Sequence, residues 1–234
     1  MADRFNPASR VAHILLDASS QNPTLRVRDV WCRVFGITEN DDLRQTDEVI
    51  QGLKLLLSEL ELVKAQVVSE KYGKPERYGS ILTLIEQATN KVNFGAQWEI
   101  NKTYLDGLDY DLLYVLSDLT PDEERVQEES LAEFAEELQE FKQYAINNLE
   151  GQFQAFVLEQ ISIMERAIKS YPIVGAKAFR AGAAESFANW VENQDTYEKL
   201  RKPRGQRQTQ SDSQEIRVTC TGMGGAGCTG DKRS

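Results

Sequence analysis

The row Val49, Leu53, Leu56, Leu60, Val63 and Val67 repeats at alternating steps of four and three, and it constrains this chain more than any other feature. That spacing puts all six side chains on one face of an α-helix, which no pleated strand would do. Ile50 and Leu57 flank the row. A stripe that wide contacts two neighbours, as a helix inside a bundle does. The periodicity therefore predicts one long helix from about Glu39 to Lys71, ended by Tyr72-Gly73-Lys74-Pro75.

The helical period extends to both sides of this segment. Asn6 before Pro7 reads as an N-cap with proline in the first position of a helix reaching Ser19, with Val11 and Leu15 inward. Thr24 is placed to cap a second helix that turns Val27, Val30, Trp31 and Val34 inward, and Gly36 supplies a left-handed stop. Further helices are expected over Glu76–Asn93, Trp98–Leu105 and Leu108–Leu119. The run Thr120-Pro121-Asp122-Glu123 has a capping hydroxyl, a proline at the first position and a Glu at the third, so it predicts the start of another helix. Its apolar row is Leu131, Phe134, Leu138, Phe141, Ala145 and Leu149; beyond Gly151 the period resumes with Phe153, Val157, Ile161, Met164, Ile168 and Tyr171 until Pro172, the expected stop. From spacing alone, Gly151 either kinks one helix or separates two. The final helix, about Val174 to Trp190, is rich in Ala and contains Gly182, which allows close approach to the helix before it.

These elements define an all-α fold, an irregular multi-helix bundle of about seven or eight helices over residues 1–200, with a potential sub-boundary near 119–121. From Arg201 the composition changes to Pro, Gly, Gln, Ser and Thr, so residues 201–234 are expected to form a disordered tail.

Charge divides the chain in the same place. Residues 1–119 carry 13 basic and 18 acidic side chains, 120–200 carry 7 and 16, and 201–234 carry 7 and 3. An acidic body disfavours nucleic acid and anionic membranes as partners; the basic tail leaves nucleic acid open for that segment alone. Val11 to Leu16 is too short and too polar for a secretory signal, and Lys54 and Glu59 border the most apolar stretch, so no membrane segment is expected. Three cysteines make no disulfide framework, and a cytoplasmic location follows as the expectation.

The residues that support most chemistry are scarce. The single histidine, His13, has Asp17 four residues on, but no nucleophile motif accompanies it, and a structural role is expected. Asp106, Asp109 and Asp111 lack the spacing of a calcium loop and read as caps. Gly222 to Gly227 looks like a phosphate loop without the helix it needs, and Cys220 with Cys228 gives too few ligands for zinc. Arg26, Arg28 and Arg33 resemble a DNA-binding hairpin in spacing only. No catalytic residue, cofactor or metal is therefore expected.

What is left is surface. Glu133, Glu136, Glu137 and Glu140 form an acidic helix face, and Arg201, Lys202, Arg204 and Arg207 form the one basic cluster; these eight are the candidate partner-binding residues. The expected function is that of a non-catalytic helical protein–protein interaction protein, an accessory or regulatory subunit of a larger cytoplasmic complex. The alternative is an acidic inhibitor that mimics nucleic acid, as in toxin-neutralising or antiviral accessories; an enzyme with an unrecognised site ranks last. A homo-oligomer through Leu131–Leu149 is compatible with the same pattern.

Overall fold

A computed structural model describes residues 4–38, 41–68, 76–89 and 93–194. Among these residues the chain forms nine helices and no strand: α1 (Pro7–Ser20), α2 (Val27–Val34), α3 (Asp42–Val68), α4 (Glu76–Ala88), α5 (Glu99–Asp106), α6 (Tyr110–Leu119), α7 (Glu128–Asn148), α8 (Gly151–Val174) and α9 (Lys177–Glu192). The all-α multi-helix fold is as expected. The linker Tyr72–Pro75, the Gly-rich run, Cys220, Cys228 and the basic cluster Arg201, Lys202, Arg204 and Arg207 lie outside the described residues.

Helix α1 is the hub, touching α2, α3, α5, α6 and α8. Its start is tied down twice. The Asn6 side chain accepts from the Ser9 N–H at 3.0 Å while Ser9 Oγ accepts from the Asn6 N–H at 3.0 Å, a reciprocal cap. Asn6 Nδ2 also donates to the Ser117 and Thr120 carbonyls at 2.9 and 3.1 Å, so this fully buried amide joins α1 to the end of α6. On α3 all six residues of the predicted row are buried. The backbone N–H groups of Arg44 and, secondarily, Leu43 hydrogen-bond the Asp41 carboxylate at the start of α3 and hold it below the usual carboxylate range.

Two of the expected helix starts move. Thr24 does not cap α2; it binds the Asn22 side chain, and α2 begins at Val27 behind an Arg26 that makes no side-chain cap. The cause is tertiary: the backbone of residues 25–28 pairs with residues 94–98, with Val27 N–H on Ala96 O at 2.9 Å and Trp98 N–H on Leu25 O at 2.7 Å. The pairing brings Trp98 edge-on to Trp31, 5.6 Å between ring centroids, and sends its indole N–H to Ala18 O at 3.2 Å. Gly52 is the position where α3 can accept Phe35, since an added Cβ would lie 2.7 Å from that ring.

The second correction is larger. Thr120 does not open a helix; it closes α6, donating its hydroxyl to Leu116 O at 2.8 Å, and residues 121–127 run without regular structure to α7 at Glu128. The acids that would have suited a helix start are used elsewhere: Asp122 pairs with Arg4 at 2.7 Å, Glu123 pairs with Arg10 at 2.8 Å, and the Glu123 N–H donates to Phe5 O at 2.7 Å. Gly151 separates two helices at φ +62°, and Pro172 does not stop α8, which continues to Val174 and ends at Gly175 with φ +63°. A proline this close to the end removes one backbone bond in a turn about to terminate.

Asn6→Ala removes a cap and leaves two buried carbonyls short of a donor; urea unfolding is expected to show a loss of about 2–4 kcal/mol. Cys32 is buried on α2, and desolvation pushes its thiol above the ordinary range, so iodoacetamide should label its peptide about 100-fold more slowly in the native protein than in urea. Equal rates would contradict the packing of α2 on the core.

Candidate functional site

Two features of this bundle go beyond ordinary core packing: a buried charge network and an exposed aromatic furrow. The network begins with Arg10, three residues into α1, whose helix position turns it inward among α3, α8 and the 121–127 segment. Its Nε donates to Ile173 O at 3.1 Å, Nη1 to Glu123 Oε2 at 2.8 Å, and Nη2 to Glu59 Oε2. Glu59 comes from α3 and is 1% exposed; its other oxygen takes Lys177 Nζ of α9 at 3.0 Å, and Lys177 lies 3.6 Å from Glu123. Two cations face two carboxylates, so the buried charge sums to zero and each group has a partner. Gly175 makes room for them: a Cβ there would come 2.7 Å from both Arg10 Nη1 and Glu123 Oε2. At the edge of the network Arg4 is held above its usual range, first by its hydrogen bond to Asp122.

Sequence reasoning missed this network. Glu59 falls between Leu56 and Val63 at steps of three and four, in register with a buried row, and that register was the available signal. Its partners Arg10 and Lys177 are 49 and 118 residues away and leave no local trace. His13, by contrast, is exposed and lies edge-on to Tyr114, 6.4 Å between centroids, while Asp17 accepts from Gln21 at 3.1 Å rather than from the imidazole. Asp109 caps α6 through the Leu112 N–H at 3.1 Å as expected, whereas Asp106, at the end of α5, caps no helix and ion-pairs with Lys102 instead. Arg28 pairs with Asp29 and Asp42.

The furrow arises from how α7, α8 and α9 are joined. Gln139 and Lys142 of α7 meet Glu165 of α8 at 2.7 and 2.8 Å, and Gln154 of α8 meets Ala145 O of α7 at 3.2 Å, so these helices are antiparallel. Gly182 of α9 sits on α8, its would-be Cβ 3.3 Å from Ala167 Cβ, and Ser186 bonds Gln160, so α9 is also antiparallel to α8. Helices α7 and α9 therefore run parallel along α8. They meet through Phe134 and Phe179, 6.4 Å between centroids, which continue to Tyr171 at 5.7 Å and from there to Phe5 at 5.7 Å.

Beyond that stack the furrow stays open. Phe141 lies two turns past Phe134, Trp190 three turns past Phe179, and Phe153 five turns before Tyr171, so each keeps the flank of its aromatic predecessor. All three are exposed, at 50%, 42% and 44%. Tyr144, stacked on Phe141 at 6.5 Å, and Phe187, 6.0 Å from Trp190, are exposed as well. The predicted row on α7 is thus only half used: Leu138 and Ala145 are buried against Ile161, while Phe134 and Phe141 are left at the surface.

The acidic face expected on α7 begins beside this flank at Glu137 and turns away from it through Glu133 and Glu140 to Glu136 on the far side of the helix. Glu133, Glu136, Glu137 and Glu140 are all exposed and have no ion-pair partner among the described residues. Glu137 sits between Phe134 and Phe141 at steps of three and four. Sequence reasoning found the acids and took the neighbouring phenylalanines for core. Among the described residues no group of three or more His, Cys, Asp or Glu side chains could hold a metal ion, and no helix is long and apolar enough to cross a membrane. No protein-family model matches the chain, and neither a curated protein nor a solved structure matches it.

The two features make different demands under mutation. Glu59→Ala leaves Arg10 buried without its main counter-charge and is expected to cost about 3–5 kcal/mol in urea unfolding, whereas Arg10→Met with Glu59→Leu should recover more than half of that loss. A double variant as unstable as the single one would mean that the ion pair itself, rather than its completeness, holds the fold.

Proposed function

We propose that this protein is a non-catalytic helical interaction protein, an accessory or regulatory subunit of a cytoplasmic assembly, and that it docks its partner on the α7–α9 furrow. The observation that supports this reading is the set of exposed aromatics on these three helices: Phe153 on α8 and two pairs of neighbouring rings, Phe141 with Tyr144 on α7 and Phe187 with Trp190 on α9. Contiguous apolar surface of this kind is costly to leave in water, and aromatic residues supply much of the energy at protein interfaces. The exposed carboxylates of α7 add charge selectivity, favouring a partner with basic groups around an apolar centre.

A second reading rests on those carboxylates alone. Glu133, Glu136, Glu137 and Glu140 could occupy the basic groove of a nucleic-acid-binding protein and inhibit it. Charge reversal separates the two, because a mimic depends chiefly on the acids and an aromatic dock chiefly on the rings.

Phe187→Ala with Trp190→Ala is expected to weaken capture of a stoichiometric partner from the native cell about 30-fold or more, with helical content unchanged by circular dichroism. Reversal of the four glutamates should cost less, roughly tenfold, and mainly at low salt. If the aromatic variant captures its partner undiminished while the charge variant captures none, the mimic reading replaces this one. If neither variant changes what co-purifies, the furrow is not the docking surface.

A further inference from the structure

We infer that the furrow between α7 and α9 is a seat for this chain's own basic segment, residues 195–207. The inference uses the same face as the reading above but does not require a heterologous partner. The furrow carries the exposed rings of Phe141, Phe187 and Trp190 and is closed at one end by the Phe134–Phe179–Tyr171 stack and open at the other. Helix α9 ends at Glu192, two residues past Trp190, so the chain leaves the described residues at the open end.

Sequence order then matches the order of the surface. The first residues beyond Gln194 include Tyr197 and Leu200, the apolar side chains an aromatic furrow takes. Lys199 lies between them and Arg201, Lys202, Arg204 and Arg207 follow, five cations within nine residues. On the α7 rim of the furrow stands Glu137, between Phe134 and Phe141, with Glu133 and Glu140 further round the helix, all three exposed and without an ion-pair partner among the described residues. Reach is sufficient: α7 and α9 both pack on α8, so their axes are at most about 20 Å apart, and the seven residues from 194 to 201 span up to about 25 Å.

A second copy of the chain is the weaker occupant on charge. A symmetric contact through this face would set the α7 carboxylates of one copy near those of the other, and like charges cost free energy where opposite ones are available a few residues away. Tethering adds to the contrast, because a linked segment acts at a millimolar effective concentration whatever the protein concentration.

Zero-length carbodiimide cross-linking of the full chain at low concentration, followed by mass spectrometry of the monomer band, tests the assignment. The expected result is amide bonds from Lys199 or Lys202 to Glu133, Glu137 or Glu140, with yield falling roughly tenfold when salt is raised to about 0.5 M. Arg201→Glu with Arg204→Glu and Arg207→Glu should likewise lower the yield at the unchanged Lys199 and Lys202. Cross-links found only in a dimer band would assign the face to a second copy and overturn the inference. No tail-to-α7 cross-link, or cross-links spread evenly over all exposed carboxylates, would overturn it as well. Because the readout lies within one chain, the absence of a co-purifying partner would count against the proposed function without affecting this result.

Discussion

The bundle depends on the burial of Arg10. A guanidinium 3% exposed is tolerable only if its charge and its donors are met on all sides, and each of its partners comes from a different part of the chain: Glu59 from α3, Glu123 from the segment after α6, and Ile173 O from the end of α8. Lys177 then links Glu59 and Glu123 to α9. An apolar core tolerates sliding between helices, whereas a paired buried charge does not, because a small displacement leaves one member unpaired at a cost of several kcal/mol. The network therefore sets how the α1–α6 body meets the α8–α9 arm. Gly175 shows how closely that junction is fitted, since no side chain other than hydrogen clears Arg10 and Glu123 there.

The same requirement explains the largest departure from local expectation. Thr120-Pro121-Asp122-Glu123 satisfies every short-range rule for a helix start, and such signals are worth about 1–2 kcal/mol. Leaving Arg10 without Glu123, and Arg4 and Asn6 without Asp122, would cost more. The acids are spent on distant cations, and the segment stays extended so that the Glu123 N–H can reach Phe5 O and the Val126 N–H can reach the Tyr171 hydroxyl.

What could be read from the chain follows from how local each determinant is. The α3 row, the Asn6 cap and the stop at Gly36 were legible, because each is decided within one or two turns. The late start of α2 was not, because residues 94–98 impose it from 70 residues away. The four α7 glutamates were legible as exposed acids. The furrow beside them was not, because Phe134 and Phe141 carry the same three-and-four spacing whether a neighbour covers them or not, and periodicity reports which face is apolar rather than what lies against it.

That last point bears on why the arm differs from the body. Helices α2, α3, α5 and α6 surround α1 on several sides, and this body buries both core tryptophans, Trp31 and Trp98, completely. Helix α7 instead rests on α8 through a small cluster, Leu138, Ala145 and Ile161 with their half-buried neighbours, and its remaining apolar side chains face water. A helix held on one side gains only part of the stabilisation its sequence could provide, so a chain folding for stability alone would have covered Phe141 and Tyr144 or made them polar. Their retention beside exposed carboxylates, near the middle of α8 where Lys142 meets Glu165, sets the open surface about two turns along that helix from the charge network at Ile173. Docking on the furrow then meets α7 and the C-terminal half of α9, while Lys177 at the start of α9 keeps its place in the charge network.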